Sequence, residues 1–200
     1  PKEMGSGMVE LIYEELIRAC ASFPNHTGLG WDRWHPKVVL RLSKPLVQLL
    51  IAILMEAEKT GVWPRGIGIV LIALLPKGDG DYRPIGLKPT LTRIWMRSRR
   101  NVTKAWEANN SRWYCYAGKG MGADVAAWKQ AAAAELSMTM AEYTEYGQAL
   151  LDLVKAFDRV PIWLLIREAV ALNYPLELLR LSVAVYRLGR CIRIGKAISF

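Results

Sequence analysis

The chain has 200 residues, 52% of them apolar and 22% charged, with eight tryptophans. That balance excludes a disordered tail, and a chain of this length buries roughly 70% of its unfolded surface without needing disulfides. Twenty-seven basic against eighteen acidic residues leave a net charge of +9, which points to a polyanion, either nucleic acid or an anionic membrane face.

Cys20, Cys115 and Cys191 lie far apart, and no C-x-x-C pair exists. A zinc ribbon and a secreted disulfide framework are therefore excluded, and a reducing intracellular compartment, nucleus or cytoplasm, is expected. The longest apolar run, residues 66–76, has 11 positions. A membrane-spanning helix needs about 20, so no membrane partner is expected. The chain opens without Met or signal-peptide grammar and stops in what reads as a strand, so both ends look cut from a longer polypeptide.

In chain order, residues 8–20 repeat apolar positions at helical spacing, and a turn-rich patch from Pro24 to Gly30 follows. Pro36 opens a helix running to about Lys59, with Gly61 as its cap and Leu46, Leu49, Leu50, Ile53, Leu54 and Ala57 as its buried stripe. A continuous apolar strand spans 67–75, residues 78–81 turn, and 82–87 resume an extended path. Pro89 opens a helix to about Ala108, and an Ala-heavy helix covers roughly 123–143. Residues 147–154 read as a strand, Pro161 and Pro175 each open a helix, and 191–194 suggest a last strand. The expected class is α+β, helix-rich, with a small antiparallel sheet.

Two segments carry chemistry. In the first, a strand ending Leu75-Pro76-Lys77, a Gly/Asp turn and a returning Tyr82-Arg83-Pro84-Ile85 would hold Lys77 and Arg83 at a hairpin mouth. A point charge and a planar fork so held suit a triphosphate, although hairpin statistics alone favour two solvated cations. In the second, Asp152 ends an apolar run and precedes a polar turn, where a carboxylate suits a hard cation such as Mg²⁺. Phe157 follows five positions later, and Asp158 sits where it would favour the start of the Pro161 helix.

These segments resemble the fingers and first palm motif of reverse transcriptases of the LINE-type (non-LTR retrotransposon) and group II intron-like branch. The family pattern I-P-K-x-x-x-x-x-R-P-I-x-L is matched by Leu75-Pro76-Lys77 and by Arg83-Pro84-Ile85-Gly86-Leu87, and D-L-x-K-A-F-D-R-V by Asp152 to Val160. Thr27-Gly-Leu-Gly-Trp31-Asp32 is similar to the T-G-P-D-G stretch, and the likeness runs from about residue 25 to the end. Residues 115–122 keep glycines but lack the arginines of the family's G-F-R-x-G-R-S segment.

The resemblance implies a fingers-like region over 1–145, with the basic helix 89–108, and the start of a palm over 146–200. It implies that Asp152 and the Leu153 carbonyl hold two Mg²⁺ ions, or Mn²⁺ in their place. Lys77 and Arg83 would grip the deoxynucleotide phosphates, and Phe157 would be the steric gate against a ribose 2′-hydroxyl. The implied reaction extends a DNA primer along an RNA template. The remaining palm motifs and the thumb would lie downstream of Phe200, so the isolated chain is expected to be inactive. A polymerase relic that binds RNA without chemistry is the alternative.

A separate signal comes from the helix after Pro89. From Arg83 to Lys104 there are seven basic residues and no acidic one. On one continuous helix, Arg93, Arg97, Arg100 and Lys104 form a stripe suited to a phosphate backbone. Leu91, Ile94, Trp95, Val102, Ala105 and Trp106 take the other face. A solvated basic face is the plain alternative, but four like charges in a row repel one another and favour an anionic partner. His26 and His35 are expected to be structural, lacking partners at metal-ligand spacing. Trp31, Trp34, Trp63 and Trp163 are core fillers or base-stacking groups.

Overall fold

The computed structural model of the chain describes residues 9–78, 80–117, 120–139, 147–149, 151, 159–194 and 197–199. Helix α1 spans Tyr13–Ala21, α2 Lys44–Thr60, α3 Thr90–Ser98, α4 Arg100–Asn109, α5 Ala123–Thr139, α6 Ile162–Ala171 and α7 Leu176–Tyr186. The strands are β1 Ile69–Pro76, β2 Tyr82–Leu87, β3 Gly189–Ile194 and β4 Ala197–Ser199. The class is α+β. The strand expected over 147–154 falls largely outside the described residues, as does the end of the helix expected to reach 143.

The chain forms two compact units, one of residues 1–103 and 162–200, the other of 104–161. In the first, the sheet has strand order β2-β1-β3-β4. It is mixed, where an antiparallel sheet was expected. β1 pairs antiparallel with β2 across a tight hairpin, whereas β3 arrives after α6 and α7 and lies parallel to β1. Parallel neighbours need such a long crossover, which local patterning cannot reveal.

The core of this unit joins Leu16 and Cys20 of α1, Leu54 of α2, Ile94 and Trp95 of α3, and Leu181 of α7, all nearly inaccessible to solvent. The expected helix from Pro36 is divided. A 3-10 turn covers Pro36–Arg41, Leu42 and Ser43 are extended, and α2 begins at Lys44 with Pro45 in its first turn. Proline inside a helix removes a donor and clashes with the preceding turn, so Pro45 starts a helix here and cannot lie within one.

The buried stripe of α2 is also displaced from the expected one. Val47, Leu54, Ala57 and Glu58 are buried, with Leu50 and Ile51 packed against the core, while Leu46, Leu49 and Ile53 are exposed. The helix is turned by about one residue, roughly 100°, relative to the apolar count. Glu58 explains the rotation, because it must reach a buried partner. Its Oε1 accepts from Trp95 Nε1 and from Arg99 Nε, each at 2.6 Å, and its Oε2 pairs with Arg99 Nη2. Arg99 Nη1 donates onward to the Val9 carbonyl at 2.7 Å. Trp63 packs edge-on against Trp95 and donates from Nε1 to the Leu181 carbonyl at 3.0 Å.

Arg180 of α7 closes the end of α2. Its Nη2 donates to the carbonyls of Glu58 and Lys59 at 3.0 and 2.6 Å, placing a cation at the negative end of the helix. In the second unit α5 has no buried residue, and Lys129 lies 5.3 Å from the Tyr116 ring centroid.

Candidate nucleic-acid interface

The loop 27–34 is built onto α3. Pro89 stands at the N-cap of α3 and offers no capping side chain, so Asp32 supplies one from far along the sequence. The Asp32 carboxylate accepts the Thr90 N–H at 2.6 Å, and the Thr90 hydroxyl donates to the Trp34 carbonyl at 2.6 Å. A carboxylate at a helix N-terminus satisfies a free amide and meets the positive end of the dipole. Arg93 ties the other end of the loop, donating to the Gly28 carbonyl and to Thr27 Oγ1, each at 2.6 Å. Gly30 is packed so closely that a Cβ there would sit 2.7 Å from the Lys88 carbonyl oxygen. The Thr-Gly and Asp positions of this stretch thus have a structural reason: they hold the loop to α3 and to the end of β2.

Between loop and helix lies an open cleft of about 560 Å³, bordered by Lys88, Arg93, Arg97 and Arg100, with Phe23 beneath and no acidic lining residue. The guanidinium carbons of Arg97 and Arg93 lie 4.2 and 5.3 Å from the Phe23 ring centroid. Arg97 also donates to the Ser22 carbonyl and hydroxyl, at 3.3 and 3.2 Å. These partners are neutral, so they orient the cations without cancelling their charge. Among the described residues none of the four cleft cations forms an ion pair. Burial holds the Lys88 ammonium below the usual lysine pKa. Burial also lowers that of Arg93, with Asp32 acting the opposite way and Arg97 adding like-charge repulsion. A phosphate would relieve both penalties.

The four-cation stripe is corrected in one member. The helix expected to run unbroken to Ala108 divides at Arg99, with φ −86° and ψ 3°, where the Arg99 side chain is drawn into the core by Glu58. Arg93, Arg97 and Arg100 border the cleft, whereas Lys104 falls in the second unit and is not among the lining residues. Lys88 takes the fourth place. It precedes the helix and so has no position on a helical wheel, yet it belongs to the same acid-free run.

The hairpin takes the expected form. Leu75 pairs with Arg83 and Pro76 with Tyr82, the Lys77 N–H donates to the Asp81 carbonyl at 2.7 Å, and Gly80 adopts φ +83°. Lys77 and Arg83 therefore flank one turn. Arg83 is exposed, and Lys77 makes a loose contact of 3.9 Å with the exposed Asp81. Asp152, Leu153, Phe157 and Asp158 lie outside the described residues. Among the described residues no group of three or more His, Cys, Asp or Glu side chains is placed to hold a metal ion.

The remaining candidates divide cleanly. Trp63 is core, whereas Trp31, Trp34 and Trp163 are exposed. His35 is structural: its Nε2–H donates to the Pro24 carbonyl and its Nδ1 accepts from the Lys37 N–H, both at 3.1 Å. No described helix is long and apolar enough to cross a membrane. No protein-family model matches the chain, and no curated protein matches it.

Proposed function

We propose that this chain is the fingers and the start of the palm of an RNA-directed DNA polymerase of the non-LTR retrotransposon type. The observation that carries the reading is the sequence of supports from β1 to α3. A hairpin holds Lys77 and Arg83 at its turn, and its second strand leads through Lys88 into a cleft with three arginines and no acid. The hairpin cations would meet the phosphates of a deoxynucleotide, and the cleft would meet the backbone of a primer–template. Asp152, with the Leu153 carbonyl, would hold Mg²⁺, whose chemistry is activation of the primer 3′-hydroxyl and stabilisation of the leaving pyrophosphate. Phe157 would exclude a ribose 2′-hydroxyl.

The test is binding of a labelled RNA template annealed to a DNA primer, followed by anisotropy between 50 and 200 mM salt. Lys88→Gln with Arg100→Gln should lower the salt slope by about 1.8, at roughly 0.9 per phosphate contact. An unchanged slope removes the cleft from the interface. In the longer polypeptide that the resemblance implies, deoxynucleotide incorporation at the primer end that Asp152→Asn abolishes supports the polymerase reading. Binding by that longer polypeptide without incorporation supports the relic, which the acid-free cleft favours equally.

A further inference from the structure

Lys88 is the lysine of the arginine cleft, and the nucleic-acid reading uses only its charge. We propose that Lys88 is also a nucleophile, capturing aldehydes that carry a phosphate as an imine at Nζ while Arg97 and Arg100 hold the phosphate. The inference goes beyond that reading, because it needs a neutral amine and an anion site and no polynucleotide.

The surroundings of the amine provide the first support. Nζ donates to the Met96 sulfur at 3.5 Å and lies 5.9 Å from the Tyr186 ring centroid. A thioether and a ring face are weak partners for an ammonium, and among the described residues no carboxylate pairs with it. Three arginines border the same cleft and add like charge. A half-buried lysine beside other cations is the setting that favours the neutral, nucleophilic amine, and burial already lowers its pKa. Other lysines differ: Lys37 Nζ donates to the Asn25 side-chain oxygen at 2.6 Å, and Lys77 lies 3.9 Å from the Asp81 carboxylate.

The second support is a fixed backbone. Lys88 lies between the end of β2 at Leu87 and Pro89, the N-cap of α3. A residue before proline is steered to extended conformations, so its side chain leaves the backbone in a set direction. The Lys88 carbonyl is packed against Gly30, which closes the other side. Such positioning matters because a bound aldehyde must meet the amine at about 3–3.5 Å.

The third is the anion site. Arg97 is oriented by neutral partners alone, the Phe23 ring and the Ser22 carbonyl and hydroxyl. Arg100 is exposed, and among the described residues its side chain forms no ion pair. Two guanidinium forks suit the oxygens of a phosphomonoester. The cleft, about 560 Å³, falls within the usual range of small-molecule sites, about 300–1,000 Å³. In the reaction the Nζ lone pair adds to the aldehyde carbon. The carbonyl oxygen then departs as water with both amine protons, leaving a carbon–nitrogen double bond, and nothing is oxidised or reduced.

The experiment is incubation of the whole chain with pyridoxal 5′-phosphate, borohydride reduction of the imine, and tryptic mass spectrometry. Arg83 and Lys88 both precede proline, so trypsin leaves residues 78–93 as one peptide with Lys88 as its single lysine. Lys88 should label ahead of Lys37 and Lys129, and pyridoxal, which lacks the phosphate, should label it about tenfold less. Arg97→Gln with Arg100→Gln should bring the phosphorylated aldehyde down to the pyridoxal rate and leave pyridoxal itself unaffected. Arg100→Gln alone, which removes no ion pair among the described residues, should give part of that loss in a folded chain. A duplex with an abasic site presents the same aldehyde beside phosphates and separates the two sources. Borohydride trapping of Lys88 on it would assign the natural aldehyde to DNA, whereas labelling by pyridoxal 5′-phosphate alone would assign it to a small molecule. Lys88 reacting no faster than Lys37 in both arms, or equally with and without the phosphate, would overturn the proposal. An unchanged primer–template salt slope in Lys88→Gln with Arg100→Gln would instead remove the nucleic-acid reading and leave this one standing.

Discussion

Truncation of Glu58 to alanine should be the most damaging single change in the first unit. Glu58 and Arg99 are 2% and 3% exposed, and the carboxylate receives three donors: Trp95 Nε1, Arg99 Nε and Arg99 Nη2. Removing it leaves a guanidinium in the core whose remaining partners among the described residues are the Val9 carbonyl and the Met55 sulfur. An uncompensated buried charge of this kind costs about 3–5 kcal/mol. Set against a total of about 5–15 kcal/mol, that is at least roughly a fifth of the stability. At a urea dependence of about 2 kcal/mol per molar, the unfolding midpoint should fall by roughly 2 M. Chemical denaturation followed by tryptophan fluorescence reads this directly, since Trp95 and Trp63 sit in the network. The companion variant Glu58→Leu with Arg99→Met should recover most of the loss, because replacing both charges removes the desolvation problem. A single-variant cost under about 1 kcal/mol, or a double variant as unstable as the single, would refute the buried-pair account. The same pair sits at the break between α3 and α4, so the double variant also tests whether Arg99 is what divides the helix.

Three further outcomes follow from the same structure. Cys20 is fully buried and burial pushes its thiol up to about 12, Cys191 is buried, and Cys115 is exposed. Iodoacetamide on the native chain at pH 8 should therefore modify Cys115 alone, as mass spectrometry would show, and early labelling of Cys20 would contradict the core assignment. Burial lowers the Lys88 pKa from 10.5, so the unfolded state binds the proton more tightly and stability should rise with pH between the lowered value and 10.5. Primer–template affinity should fall across that window as the ammonium discharges, and Lys88→Arg should abolish the fall; an identical pH profile in that variant would count against Lys88. Gly30→Ala would set a Cβ 2.7 Å from a backbone oxygen and push the loop from the end of β2. It should weaken primer–template binding and destabilise the fold by about 1–3 kcal/mol, measured by anisotropy and thermal melting.

Much of the local architecture is legible from residue types alone. Pro89 and Pro175 mark helix starts, Gly61 closes α2 in a left-handed conformation, and the Gly/Asp turn after Lys77 predicts the hairpin. These are short-range constraints of φ and of missing donors, so they survive any tertiary context. The acid-free run from Arg83 to Lys104 likewise predicts a cluster of cations, and Lys88, Arg93, Arg97 and Arg100 do border one cleft. What the chain could not reveal locally are the contacts between distant residues. Glu58 reads as an ordinary surface position until Arg99 and Trp95 arrive to bury it, and that meeting turns α2 by a residue and breaks the basic helix. Asp32 caps a helix 58 positions away. A side chain's burial and partners are properties of the packed core, so a buried carboxylate, a helix-capping aspartate and a lysine before a helix acquire their places only when the tertiary structure brings them together.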